Sequence, residues 1–219
     1  MRLNITIRSN QEEVPFDHQH LLSGVVYKWL GESEEHGNLS LYSFSQLNGA
    51  KKGRNGLVFP VGTCFSFSAF NRDLLNRLIR GIQKDPSMFY GLVVEEVEIL
   101  GEPDFSEEYR FYCGSPILVK CSDAENKKHH LRFDDPNASD VMHRILCKKM
   151  DQVGYEYSDF KIYFDQMYGG AKTKLIRYKK INNRCNVCPV IIKGDDRVKR
   201  FVWNVGVGSS TGIGFGALK

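Results

Sequence analysis

No apolar run in these 219 residues approaches the 18 or so that a membrane span requires, so no membrane-spanning helix is expected. The N-terminus, MRLNITIRSN, lacks the continuous apolar core of a secretory signal and instead alternates apolar and polar residues. That places the chain's expected workplace in the cytoplasm. Cysteine is scarce, with six residues at 64, 113, 121, 147, 185 and 188, and Cys185 and Cys188 alone stand as C-x-x-C. A zinc site normally needs two further ligands at similar spacing, and Cys113 and Cys121 are too far apart to form an obvious second pair. His129 and His130 are the remaining residues able to complete such a site. Reduced thiols in a reducing compartment account for the pattern without a metal, and no cofactor is expected. Low-complexity sequence is also missing.

At 42% hydrophobic and 26% charged residues, the chain reads as an ordinary globular protein long enough for one large domain or two small ones. The net charge of +4 is unevenly spread. Residues 161–219 hold 12 Lys/Arg against 3 Asp/Glu, a balance of +9, so the first 160 residues sum to −5. Such a concentration fits a local polyanion site, although a solvated cationic face would look the same on charge alone.

Residues 1–8 alternate as a strand. In HQHLLSGVVYKWL (18–30), Leu21, Leu22, Val25, Val26, Trp29 and Leu30 fall on one helical stripe. Asp17 stands as N-cap, Phe16 and Leu21 as a hydrophobic staple, and Gly31 at the exit. LSLYSF (39–44) is an apolar-aromatic stretch within polar sequence, and TCFSFSAF (63–70) reads as a strand. RDLLNRLIRGI (72–82) reads as a helix capped by Asn71, and LVVEEVEIL (92–100) as a strand. The order β-α-β-β-α-β is that of a ferredoxin-like unit. A polar segment, GEPDFSEEYR (101–110), marks the boundary. Beyond it come a strand candidate SPILVKC (115–121), a helix in 135–154, and strands in FKIYFDQM, KLIRYKKI, CPVIIKG and KRFVWNVGVG. The expected fold is α+β, two tandem ferredoxin-like βαββαβ domains over 1–104 and 110–219, the second strand-rich and ending in a glycine-rich loop.

That loop, NVGVGSSTGIGFGALK (204–219), is the most specific feature. Gly206, Gly208, Gly212, Gly214 and Gly216 permit positive φ and close ligand approach, and successive free amides in such a turn bind phosphate oxygens. No Gly-Lys-Ser/Thr follows, so it is not a nucleotide P-loop. Its position at the end of the chain separates it from the Rossmann fingerprint. The five-glycine segment resembles the C-terminal glycine-rich loop of the Cas-six (Cas6) family of CRISPR-associated endoribonucleases. MRLNITI followed by LLSGVVYKWL resembles the family's first strand and helix, LSLYSFS its next strand entry, and SPILVK the strand that opens its second domain.

The resemblance implies metal-independent cutting of CRISPR repeat RNA by its own 2′-hydroxyl, leaving 5′-hydroxyl and 2′,3′-cyclic phosphate ends. Such cleavage needs proton removal, stabilisation of the phosphorane and a proton for the leaving oxygen. Histidine serves best near neutral pH, and six are available: 18, 20, 36, 129, 130 and 143. The family commonly places a catalytic histidine just after the first helix, where His36 stands, flanked by Glu34, Glu35 and Gly37. Tyr27 matches a tyrosine the family often uses, and His20, seven residues earlier, lies on the same side of the helix. Some relatives carry a lysine where Ser40 stands here; Lys51 and Lys52 are the substitutes nearby.

The basic segment 171–184 supplies Lys172, Lys174, Arg177 and Lys179 for RNA, with Tyr178 as a stacking candidate and Lys199 and Arg200 just ahead of the glycines. The expected partner is a stem-loop or single-stranded CRISPR repeat RNA, with a CRISPR effector complex and a homodimer as further candidates. Two other readings stay open: a subunit of an effector complex that binds the same RNA without cutting it, and a ferredoxin-like domain for a small-molecule or protein ligand.

Overall fold

The computed structural model describes residues 1–31, 39–106, 109–123 and 125–219. The first unit runs β1 (Arg2–Ile7), α1 (Gln19–Leu30), β2 (Tyr42–Phe44), a small hairpin of β3 (Lys51–Lys52) and β4 (Leu57–Val58), β5 (Thr63–Ala69), α2 (Arg72–Lys84) and β6 (Val94–Leu100). Its sheet has the order β2-β5-β1-β6, all antiparallel. Setting the small hairpin aside, the first and third strands of a βαββαβ unit lie at the centre. Leu3, Ile5 and Ile7 point to the helices and are buried, as period-two alternation requires.

The second unit runs β7 (Tyr109–Phe111), a hairpin of β8 (Val119–Ser122) and β9 (Lys128–Leu131), and α3 (Ala138–Gln152). Then come β10 (Lys161–Phe164), a long hairpin of β11 (Lys172–Tyr178) and β12 (Ile181–Val187), β13 (Val190–Lys193), α4 (Asp196–Val205) and a single 3-10 turn at Thr211–Ile213. Its sheet has the order β10-β13-β7. On the far side of β7 the chain's end completes the pattern: Cys113 bridges Leu218, and Tyr112 and Lys219 exchange amide hydrogen bonds of 3.1 and 2.8 Å. The second, third, first and fourth strands thus follow the same spatial order as in the first unit, and the fold is a tandem pair of ferredoxin-like units. Buried apolar residues from both form one continuous cluster.

Three local expectations need correction. KRFVWNVGVG is not a strand. Asp195 accepts from the Val198 amide at 2.8 Å and caps α4, whose buried Val198, Phe201, Val202 and Val205 recur at helical spacing. β-Branched and aromatic side chains gave that segment its strand-like composition. In SPILVKC regular pairing begins only at Val119, and β7 opens the second sheet instead. At α1, His18 occupies the cap position and makes no side-chain cap bond, while Phe16 is 59% exposed and makes no staple. Asn71 does cap α2, accepting from Leu74 at 3.0 Å.

The helices of the first unit cross with their backbones close together. A Cβ on Gly81 of α2 would collide with the Trp29 backbone of α1, whereas one on Gly24 of α1 would meet open space. Gly81→Ala is therefore expected to cost roughly 1–3 kcal/mol through forced separation of the helices. Gly24→Ala should add about 0.5–1 kcal/mol by removing backbone freedom from the unfolded chain. Urea unfolding of both variants checks the pair; equal effects of one sign would contradict the packing.

Candidate nucleic-acid interface

The two units meet along a seam built by the glycine-rich loop. Gly206, Gly208, Gly214 and Gly216 all have positive φ, between 69° and 86°. What approaches them is not open space for a ligand but the protein itself. A Cβ on Gly216 would strike the Val207 carbonyl, one on Gly214 the Gln19 amide and the Phe44 ring, and one on Gly212 the Ser40 side chain. The loop's amides are largely committed as well. Val207 donates to Gly216 O at 2.9 Å, Gly216 to Pro116 O at 3.0 Å, Ser209 to Leu118 O at 2.6 Å and Gly206 to Val202 O at 2.8 Å. The expectation of a run of free amides is corrected on this point: the missing side chains serve close packing between the units.

Polar side chains from both units bind the loop. Gln19, buried at the start of α1, donates to the Ile213 and Gly214 carbonyls at 3.0 and 3.3 Å. Lys149, fully enclosed on α3, donates to Val205 O at 2.9 Å and Thr211 Oγ1 at 2.8 Å. Burial lowers its amine to about 7, since the charged form loses its hydration. One turn further along α3, Gln152 grips the backbone of Leu39 with two hydrogen bonds, of 3.0 and 3.1 Å. None of Gln19, Lys149 or Gln152 stood out in the sequence; each resembles a surface residue until its surroundings are known.

Beside the seam lies a cleft. The β11–β12 ribbon leans over α1, tied by Ser23 Oγ donating to the Tyr178 hydroxyl at 3.1 Å, with Tyr178 packed near Ile213. Beneath the ribbon are two adjoining cavities of about 510 and 490 Å³. They share Gln46, Leu47 and Lys174; Arg177 and His18 line the first, Lys172 and Ser115 the second. Lys172 and Lys174 are exposed, stand on the same ribbon face as buried Ile176 and line the cleft. Arg177, of the alternate ribbon parity, also reaches the first cavity, donating to Lys179 O at 3.1 Å and lying 3.9 Å from Asp17. His18 is held by Pro15 O at 3.1 Å, and burial foremost, with Lys174 nearby, lowers its pKa and favours the neutral ring.

The other sequence candidates are scattered. Lys199 is buried and donates to Phe105 O at 2.7 Å, and Arg200 pairs with Glu102 at 2.8 Å, so both are engaged with the linker and stand apart from the cleft. His20 and Tyr27 both lie on α1, about 10 Å apart along its axis by helical rise. His20 Nδ1 contacts Asp17 O at 2.9 Å, and Tyr27 is 46% exposed. Lys51 and Lys52 are exposed on β3. His36, with Glu34, Glu35 and Gly37, lies outside the described residues. Ser40, just beyond that segment, abuts Gly212. Among the described residues no three His, Cys, Asp or Glu side chains converge. Cys185 and Cys188 are buried thiols raised to about 12 by desolvation.

A basic ribbon over the cleft between two ferredoxin-like units defines a tandem-ferredoxin protein with a surface suited to a polyanion. The chain belongs to the CRISPR associated protein Cas6 family, whose C-terminal profile matches residues 100–219. Its fold is shared with a solved CRISPR associated protein Cas6 (TM-score 0.82, 20% identity, 100% of this chain and 98% of that one). A Cas6-related protein from Pyrococcus furiosus aligns with TM-score 0.85 at 20% identity over 100% and 97%. A RAMP protein described as binding different RNA substrates gives 0.83 at 20% over 100% and 98%. No curated protein sequence matches the chain.

The Lys149 geometry has a consequence for pH. The unfolded chain protonates this lysine near its ordinary 10.5, the folded chain only near 7. Between those values the unfolded state holds the extra proton, so this group's contribution to stability rises as pH increases from about 7 towards 10. Thermal melts of the wild type and Lys149→Met from pH 7 to 9.5 should show that rise in the wild type only. Parallel curves would contradict the buried amine.

Proposed function

We propose that the protein is an endoribonuclease that binds CRISPR repeat RNA and cuts its precursor by attack of the RNA's own 2′-hydroxyl. The observation carrying this reading is the basic cleft: Lys172 and Lys174 line adjoining cavities between the β11–β12 ribbon and the start of α1. Membership of the Cas6 family and the Cas6 product-complex structure among its fold relatives support it.

In this proposal the ribbon cations hold the phosphodiester and offset charge gathering on the phosphorane, a term that is strong where water is excluded. His36 takes the 2′-hydroxyl proton or supplies the leaving oxygen, and Tyr27 and His20 on α1 are the candidates for the complementary role. The glycine loop contributes rigidity, fixing α1 against the second unit so that cleft and catalytic segment keep register. The ribbon, not Lys199 or Arg200, carries the RNA contacts in this scheme. A second reading, an RNA-binding subunit without cutting activity, is favoured by the likeness to the RAMP protein. Work in the cytoplasm, self-association and association with an effector complex belong to both readings.

Incubating the protein with a stem-loop repeat in EDTA should yield 5′-hydroxyl and 2′,3′-cyclic phosphate ends. His36→Ala should cut at least about 100-fold more slowly and bind as before. Binding with no cutting by the wild type would move the protein to the second reading, and unimpaired cutting by His36→Ala would remove that residue from the mechanism.

A further inference from the structure

The β8–β9 hairpin carries its own two-faced pattern. Val119 and Leu131 are buried in the core. On the opposite face Lys120 pairs with His130 and Ser122 with Lys128. This second face is turned towards β12. The Arg184 amide donates to His130 Nδ1 at 3.2 Å, so the neutral ring carries its proton on Nε2, where it can donate to a further acceptor. Buried Cys185, the next residue of β12, lies in the field of both Lys120 and Lys174. The Lys120 amide in turn donates to Ser209 Oγ of the glycine loop at 3.2 Å, beside exposed Ser210 with φ of 64°.

The charges here are of one sign. Lys120 is partly buried, and its amine is lowered first by burial and then by Lys128. His130 is lowered by burial, then by Lys120 and Arg184. Among the described residues no carboxylate contributes to either. The neighbouring Asp123 is occupied at the hairpin turn, holding His129 at 2.6 Å and the Lys127 amide at 2.8 Å. Partly desolvated cations lacking an anion destabilise the fold they sit in, and a ligand that brings the anion removes that cost. The hairpin adjoins the ribbon that overhangs the cleft: Lys174 is the cross-strand partner of Cys185, and His130 is bonded by the adjacent residue, Arg184.

We propose that the face shared by the β8–β9 hairpin and β12 is a second phosphodiester-binding surface, where Lys120, Lys128, His130 and Arg184 hold the RNA strand after it leaves the cleft. The inference rests on the RNA reading above and specifies where the strand runs. It assigns the surface to single-stranded RNA flanking the stem, because the cleft beneath Lys172 and Lys174 already holds the stem-proximal phosphates.

Two RNAs test it: a bare repeat stem-loop, and the same stem-loop with about eight unpaired nucleotides added at one end or the other. The extension should tighten wild-type binding. The double variant Lys120→Ala/Lys128→Ala should lose that gain, flatten the salt dependence by about two phosphate contacts, and bind the bare stem-loop within about twofold of wild type. The charge-keeping Lys120→Arg/Lys128→Arg should retain the gain. An extension effect that survives in the alanine variant, or an equal loss on both RNAs, overturns the proposal. Lys172→Ala/Lys174→Ala separates it from its parent. If that variant weakens binding of the bare stem-loop and the hairpin variant changes nothing, only this inference fails; if the wild type binds neither RNA, the RNA reading itself fails.

Discussion

The structure depends on how closely one stretch of backbone comes to the rest of the chain. Between α4 and the final strand, the glycine-rich loop packs with no room for a Cβ against Val207, Gln19, Phe44 and Ser40. Those neighbours belong to the first helix, the second strand of the first unit with the residues leading into it, and the loop itself, so one segment joins both ferredoxin-like units. Glycine is required because φ is positive at most of these positions and because a Cβ would collide with the first unit at Gly206, Gly212 and Gly214 and with the second unit's own backbone at Gly208 and Gly216. The hydrogen bonds follow: the loop's amides turn to its own carbonyls and to Pro116 and Leu118, and Gln19 and Lys149 satisfy its carbonyls from outside.

From that contact the functional surface takes its shape. Fixing α1 to the loop sets where the β11–β12 ribbon, tied to the same helix through Ser23 and Tyr178, overhangs the first unit. The overhang creates the cleft under Lys172 and Lys174. The last turns of α3 serve both sides, with Lys149 on the loop and Gln152 on Leu39, where the chain emerges from the segment containing His36. The proposed binding surface is thus tied to α1, and the proposed catalytic segment to α3, with the glycine-rich loop held by both helices, which suits in-line attack on a phosphodiester.

Much of the fold was legible in the sequence, because α2 shows Leu74, Leu75, Leu78 and Ile82 at helical spacing behind an asparagine cap, and β1 and β5 alternate cleanly. The duplicated strand order follows from that pattern. α4 was not legible from composition, since Val198, Phe201, Val202 and Val205 are strand-favouring residues placed at helical spacing, and spacing prevailed once Asp195 supplied the cap. The cationic ribbon was visible as a run of Lys and Arg. Lys199 and Arg200 have the same composition and a different fate, because burial and pairing with the linker are tertiary facts. The glycines announced close approach without saying what approaches. Gln19 and Lys149 gave no signal, since a polar residue buried by partners distant in the chain is identical in sequence to one facing water.

The central claim, that the glycine-loop amides are held within the protein, is open to one direct measurement. Amide hydrogen exchange on the RNA-free protein, resolved at Gly206, Val207, Ser209 and Gly216, should show protection approaching that of the core strand β1. Exchange at these positions as fast as in an open loop would mean that the amides are available to a ligand and that the seam described here does not hold the two units together.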